Sequence, residues 1–251
     1  MGAYRKKEDT EWVYGIRPVL EALRAGRGIK ALYVLPGRHD NIAPVIKESE
    51  LKGIPIKIAD RGFFDSVFSK GHQGVAAKVI KRDYLDLDDM LAIPHGINEP
   101  PFFVILDCIE DPRNLGAILR SADAAGAHGV VLQHYRSAGI GPEVSKSSAG
   151  AAEYVPLTVV PNIKHAIRKM RDNGITVICA EAVVDRTIWD TDLTVPLAFV
   201  IGSEGKGVRK TVRENCDLAV SLPMRGKINS LNASVAAGVL FYEVLRQRLH
   251  R

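Results

Sequence analysis

Cysteine is scarce in this chain, and the three thiols, Cys108, Cys179 and Cys216, lie far apart with no CxxC pair. That spacing predicts neither a disulfide framework nor a metal site. Cys108 and Cys179 sit instead in apolar, strand-like runs, where a thiol behaves as a small hydrophobe. No apolar run approaches the roughly 20 residues needed to cross a bilayer, which argues against a membrane partner. The first ten residues, Met1 to Thr10, have no apolar core, so no secretory signal is predicted and the expected location is cytoplasmic. Internal repeats and low-complexity tracts are also missing. What is present is 251 residues, 46% hydrophobic and 25% charged. That suffices for a sizeable core in one large domain or two ordinary ones.

The net charge of +5 is unevenly placed. Residues 1–80 carry 14 Lys and Arg against 9 Asp and Glu, whereas residues 81–251 carry 20 of each. The excess therefore lies in the first third. Such asymmetry suggests that this part meets a polyanion, with nucleic acid the expected one, since phosphate contacts are made largely by Lys and Arg. A solvated basic surface is the plainer alternative.

The pattern of elements supports a boundary near residue 80. Ile16 to Gly26 reads as a helix, with Pro18 in its first turn and Gly26 where it stops. Ala31 to Leu35, Ile54 to Ala59 and Gly74 to Ile80 read as strands, with helices at Ile42 to Leu51 and Phe63 to Phe68. Residues 1–80 thus predict a small α/β unit. Residues 81–101 combine a short acidic run with three prolines and a glycine, which is linker chemistry. From residue 102 strands and helices alternate again. Strands are expected at Phe102–Leu106, Gly129–Leu132, Tyr154–Val159, Ile175–Ala180, Leu197–Ile201 and Leu218–Leu222. Helices fit Arg113–Ala125, Glu143–Ala152, Ile163–Asn173, Val208–Asn215 and Ser230–Arg248. This order predicts a mostly parallel sheet with helices on both faces across residues 102–251.

Three polar or glycine-rich segments follow strands in that second part: Asp111 to Arg120, Gly202 to Gly207, and Ser221 to Met224 with Ile228 to Ser234. Open α/β sheets place ligands at the carboxyl ends of their strands. Gly202-Ser-Glu-Gly-Lys-Gly207 fits neither GxGxxG nor a P-loop, and Glu204 would repel a pyrophosphate. Glycine there suits close approach of the backbone to a flat, uncharged group such as a purine. Asn114 and Arg120 are six residues apart, about 600°, and so fall on opposite faces of an ideal helix. If both serve one site, Asn114 acts from the turn before the helix while Arg120 projects from its body. Capping is the plainer reading for Asn114, Ser230 and Asn232, and a surface or interface position for Arg120.

These segments resemble motifs 1, 2 and 3 of the SpoU/TrmH class of SPOUT methyltransferases. The matching wording runs Asn-Leu-Gly-Ala-Ile-Leu-Arg-Ser-Ala-Asp from Asn114, Gly-Ser-Glu-Gly-Lys-Gly-Val from Gly202 and Ser-Leu-Asn-Ala-Ser-Val-Ala from Ser230. Tyr14-Gly-Ile-Arg-Pro-Val-Leu-Glu-Ala-Leu23 is similar to the substrate-binding domain of the bacterial subfamily that methylates a guanosine of large-subunit rRNA. The resemblance implies a C-terminal deep trefoil knot, one of the exceptions to unthreaded chains, and a homodimer packed through knot helices. It implies S-adenosylmethionine as cofactor, wrapped by Ile201, Gly202, Leu222, Met224, Ser230 and Leu231. It implies a catalytic set of Asn114, Arg120, Glu204, Ser230 and Asn232, and transfer of a methyl to a ribose 2′-hydroxyl of RNA.

On this reading the basic N-terminal unit favours rRNA over tRNA as partner, and Arg136, Arg225 and Lys227 are candidates for phosphate contacts. A guanidinium has a pKa above 12 and only donates hydrogen bonds, so Arg120 is expected to hold ribose or phosphate and stabilise developing alkoxide charge. Glu204 could stabilise the bound cation or orient Arg120. Two other classes stay in view: an RNA-binding assembly protein that has kept the fold without catalysis, and a dinucleotide enzyme. The second would need an early GxGxxG with an acidic residue about 20 further on.

Overall fold

The computed structural model describes residues 9–37, 39–68 and 71–250. Contacts divide the chain into two units, residues 1–83 with 140–154, and residues 84–139 with 155–251.

The first unit is built on a mixed sheet of strands β1 (Thr10–Tyr14), β2 (Ile29–Val34), β3 (Ile56–Ile58) and β4 (Val75–Ile80), in the order β1-β4-β2-β3. β4 runs antiparallel to both β1 and β2, while β2 and β3 are parallel. Alternation along these strands sends Val13, Leu32, Val34, Val75, Ala77 and Val79 to one face. There they pack with Val19 and Leu23 of helix α1 (Ile16–Arg24) and Ile42 and Val45 of α2 (His39–Leu51). The opposite face carries Tyr14 and Ala76 beneath Phe64 of α3 (Arg61–Val67) and Phe68. As expected, α1 stops at Gly26, which adopts φ +72° and lets the Arg27 amide donate to the Ala22 carbonyl.

The segment 140–154 is folded into this first unit, although it lies inside the stretch expected to form the second domain. Its anchor is Glu153, whose side chain is 2% exposed and is paired with Arg27 at 2.8 Å and Arg82 at 3.0 Å. Nothing in the local sequence distinguishes this glutamate from a surface one. The pairing is long-range.

The second unit holds a parallel sheet of strands β5 (Phe102–Asp107), β6 (Gly129–Gln133), β7 (Leu157–Val160), β8 (Thr176–Ala180), β9 (Leu197–Gly202) and β10 (Leu218–Val220), in the order β10-β8-β9-β5-β6-β7. All five neighbouring pairs are parallel. β5 is buried at every position, as its continuous apolar run requires of a strand covered on both faces. The stretch 81–101, expected as a linker, contains an eleven-residue helix α4 (Leu87–Ile97). Met90 and Leu91 are buried in the core of the second unit, and Asn98 closes the helix in the left-handed conformation. Burial of its apolar side outweighs the breaking tendency of Pro94, itself buried within the helix.

Four more helices are α5 (Pro112–Ala124), α6 (Pro142–Ser147, in the first unit), α7 (Ile163–Asp172) and the short α8 (Lys210–Arg213). The last helix, α9 (Ala233–Leu249), packs on the central strands β5 and β9. Phe241 packs edge-on against Phe102 with ring centroids 5.7 Å apart. At its far end the Arg248 guanidinium donates to the carbonyls of Pro100, Pro101 and Val195, beside the starts of β5 and β9.

Removing one partner of a buried ion pair costs up to about 3–5 kcal/mol when the remaining charge is left unpaired. Arg27 keeps Glu11 and Arg82 keeps the Ala152 carbonyl, so Glu153→Ala is expected to lower the unfolding free energy by less than that full amount, measured by chemical denaturation.

Candidate active site

The ends of β5, β8, β9 and β10 meet on one edge of the second unit. There the loop after β9 turns back sharply. The Gly207 amide donates to the Ser203 carbonyl at 2.9 Å, closing Ser203 to Gly207 as a tight hairpin. This brings the backbone of Gly207 and Val208 across Gly202. A Cβ at Gly202 would lie 2.1–2.3 Å from those atoms, so only glycine fits.

Beneath this crossing lies a cavity of about 320 Å³. Its walls include Ile201, Gly202, Leu222, Met224, Ser230 and Leu231, the six residues expected to hold a cofactor. Ala180 and Glu181, from the end of β8, complete the floor. Glu181 is unusual there. Its Oε1 is buried without a hydrogen-bond partner among the described residues, and burial raises its pKa above the ordinary carboxylate value. An apolar cradle with backbone edges and one unsatisfied carboxylate oxygen suits a ligand that combines a flat purine with hydrogen-bond donors. The residues therefore fit S-adenosylmethionine.

Beside it is a second, polar cavity of about 530 Å³, lined by Cys108, Asn114, Arg136, Lys206 and Arg209 among others. The two cavities share Ser203 and Glu204 as a common wall. At that wall the Asn232 side-chain amide donates both to Asn114 Oδ1, at 3.0 Å, and to Glu204 Oε1. Asn232 also caps α9, its Oδ1 accepting from the amides of Ser234 and Val235 at 2.9 and 3.2 Å. One asparagine thus fixes the start of the last helix and joins two other polar groups across 118 and 28 residues of sequence.

The second cavity is bordered by Arg209, which is paired with a buried aspartate. Asp107, fully buried at the end of β5, accepts from the Arg209 backbone amide at 2.8 Å and from its Nε at 2.7 Å. Arg209 Nη2 reaches Gln133 at 2.6 Å. The Asp107 hydrogen bond raises the Arg209 pKa. Cys108 and Arg136, both lining the cavity, adopt φ +61° and +57°. Left-handed backbone at non-glycine residues is costly and collects at functional sites.

Of the five residues expected to be catalytic, the structure joins Asn114, Glu204 and Asn232 and places Ser230 on the first cavity. Arg120 is exposed on α5 and has no bonded partner among the described residues. Asn114 is not a cap: Asp111 fills that role, accepting from the Arg113 amide at 2.8 Å, and Pro112 opens the helix. The helix therefore starts two residues earlier than Asn114, which acts from its first turn. Arg136 faces the second cavity, whereas Arg225 and Lys227 are simply exposed. Sequence reading missed Asp107, Arg209 and Glu181. A charged residue just past an apolar strand was the available signal for Asp107 and Glu181. No group of three or more His, Cys, Asp or Glu able to hold a metal occurs among the described residues, and none of their helices is long and apolar enough to cross a membrane.

Comparison with known proteins adds to this geometry. Residues 101–242 match the model of the SpoU rRNA Methylase family, and residues 12–85 match an RNA 2′-O ribose methyltransferase substrate-binding model. The chain is 40% identical over 242 residues to the 23S rRNA (guanosine-2′-O-)-methyltransferase RlmB of Yersinia pestis, covering 95% of this chain and 98% of that one. It is 43% identical over 250 residues to an uncharacterized tRNA/rRNA methyltransferase of Mycolicibacterium vanbaalenii, covering 98% of this chain and 80% of that one. Among solved structures, the SpoU methyltransferase AviRb of Streptomyces viridochromogenes, crystallised with the cofactor AdoMet, superposes with a TM-score of 0.80 at 28% identity. That match covers 99% of this chain and 96% of AviRb.

A side chain at position 202 must push the returning backbone away. Gly202→Ala is expected to cost at least about 1–3 kcal/mol, the usual penalty of overpacking. The check is a paired measurement of thermal stability and cofactor affinity, both of which should fall.

Proposed function

The chain belongs to the SpoU rRNA Methylase family, and on that footing we propose that it methylates a guanosine of large-subunit ribosomal RNA. It is an S-adenosylmethionine-dependent RNA ribose 2′-O-methyltransferase. The observation that carries the reading at residue level is the Asn114–Asn232–Glu204 cluster, set on the wall between an apolar cavity and a polar one.

Bound S-adenosylmethionine supplies a methyl already activated as a sulfonium. The protein's own task is then alignment, which is worth several orders of magnitude when the reacting atoms are held in line. Ile201, Gly202, Leu222, Met224, Ser230 and Leu231 hold the cofactor. The polar cavity receives the target nucleotide, and Asn114 keeps its Nδ2 donors for that nucleotide because its Oδ1 is engaged by Asn232. Glu204 lends negative charge to the wall nearest the cationic centre. Arg120 donates to ribose or phosphate and stabilises alkoxide charge as it develops.

An apolar stripe runs along α9: Val235, Val239 and Tyr242, spaced one and two turns apart, are 51%, 37% and 53% exposed. α5 and α9 pack closely, with Gly238 beside Ser121. Such a stripe is what a second copy would cover, and the proposed homodimer forms through it, bringing Arg120 of each copy to a subunit boundary. A C-terminal trefoil knot and a cytoplasmic location complete the proposal. The substrate-binding unit, with the chain's excess of basic residues, supports rRNA over tRNA.

The test is transfer of tritiated methyl from S-adenosylmethionine to separated rRNA and tRNA from a strain lacking this protein. Label on a guanosine ribose of large-subunit rRNA, reduced at least about 100-fold by Arg120→Ala, is expected, since one electrostatic donor is typically worth that much. Label on tRNA instead would overturn the substrate assignment and leave the chemistry standing.

A further inference from the structure

The cofactor reading asks for a donor to Glu181 without saying which group of the ligand supplies it. Its Oε1 is buried with no hydrogen-bond partner among the described residues. Its Oε2 faces the glycine loop, lying 3.8 Å from where a Cβ of Gly207 would stand. A buried carboxylate oxygen without a donor costs stability, and native proteins rarely keep one unless something else supplies the bond.

Its place in the sheet narrows what that something is. β8 and β9 are parallel neighbours, with Cys179 level with Val200. Glu181 is two residues past Cys179 and Gly202 two past Val200, so the carboxylate and the glycine loop end adjacent strands at the same height. Dinucleotide-binding sheets use this juxtaposition: a glycine loop ends one strand, and an acidic residue at the end of the next accepts hydrogen bonds from a ribose. Here the acidic residue precedes the glycine loop in sequence instead of following it. A search running forward from the glycines misses it.

The order of strands also separates two ends of the site. In β10-β8-β9-β5, Glu181 lies on the β8 side of Gly202, while Asp107, Asn114 and the polar cavity lie on the β5 side. The reacting end belongs with the Asn114–Asn232–Glu204 cluster, which leaves the nucleoside end for the opposite flank. Two vicinal hydroxyls are neutral donors, and a carboxylate with one oxygen wholly unsatisfied is their natural acceptor.

We propose that Glu181 accepts hydrogen bonds from the ribose hydroxyls of the bound adenosyl cofactor and so positions it. The inference rests on the cofactor assignment above. Glu181 is a binding and positioning residue, distinct from the groups that face the target RNA.

Calorimetric titration with S-adenosylhomocysteine, its 2′-deoxy and 3′-deoxy forms, and the form lacking the α-ammonium tests this without any turnover. Wild-type protein is expected to bind the parent compound roughly 10–100-fold more tightly than at least one deoxy form, the range for a hydrogen bond to a charged group. Glu181→Ala should lose about that factor for the parent and bind parent and deoxy forms alike. Glu181→Gln, which keeps the shape and one acceptor, should fall between, and thermal melting of both variants confirms folding. Unchanged affinity in the two variants, or discrimination that survives in Glu181→Ala, overturns the proposal. Loss of coupling only for the compound without the ammonium overturns it too, by assigning the carboxylate to the methionine end. No binding of the parent by wild-type protein would remove the cofactor assignment itself.

Discussion

The backbone of Gly207 and Val208 passes so near Gly202 that an added methyl would meet it at 2.1–2.3 Å, and the site is arranged around that crossing. Because the loop folds back there, Glu204 is set on the wall shared by two cavities. Val208 is carried into the core, and Arg209 arrives where its amide and guanidinium both reach Asp107. Local backbone chemistry makes this possible: Gly205 and Gly207 take φ +79° and +65°, which lets five residues reverse direction.

Polar groups at the site do double duty, and the physical reason is burial. Asp107 is wholly inaccessible and would be costly without its partner, so it both anchors Arg209 and fixes the rim of the polar cavity. Asn232 caps α9 through its oxygen and bridges Asn114 and Glu204 through its nitrogen. All four polar bonding directions of that small side chain are thus put to use. The helix it starts is pinned by Arg248 to the segments that lead into β5 and β9, at the opposite ends of the strands. The site is therefore coupled to the packing of the whole second unit, not hung on a loose loop.

Much of this unit was legible from residues because the signals were local. Phe102 to Leu106 reads as a doubly covered strand from its apolar run alone, and β5 is buried throughout. Ile201, Gly202, Leu222 and Leu231, singled out from strand ends and the motif resemblance, line one cavity. Elements with weak local signals were misread. β1 is a five-residue strand, and its pairing with β4 is what stabilises it. α4 was hidden by Pro94 and by an acidic start that looks like a linker. Asn114 reads as a cap, and Asp111 takes that place because Pro112 is pre-organised for the first helical position.

By itself the sequence determined the alternation of strands and helices, the family, the cofactor and the residue types at the strand ends, since each depends on short spacing or on motif wording. Tertiary structure alone decided that segment 140–154 folds with the N-terminal unit through Glu153. It alone brought Asn114, Glu204 and Asn232 within hydrogen-bond reach while leaving Arg120 on the surface. And it alone showed that Glu181 ends a strand beside the glycine loop with an unsatisfied oxygen. Those facts depend on which strands lie side by side, and strand order is fixed by burial of the whole sheet rather than by any one segment.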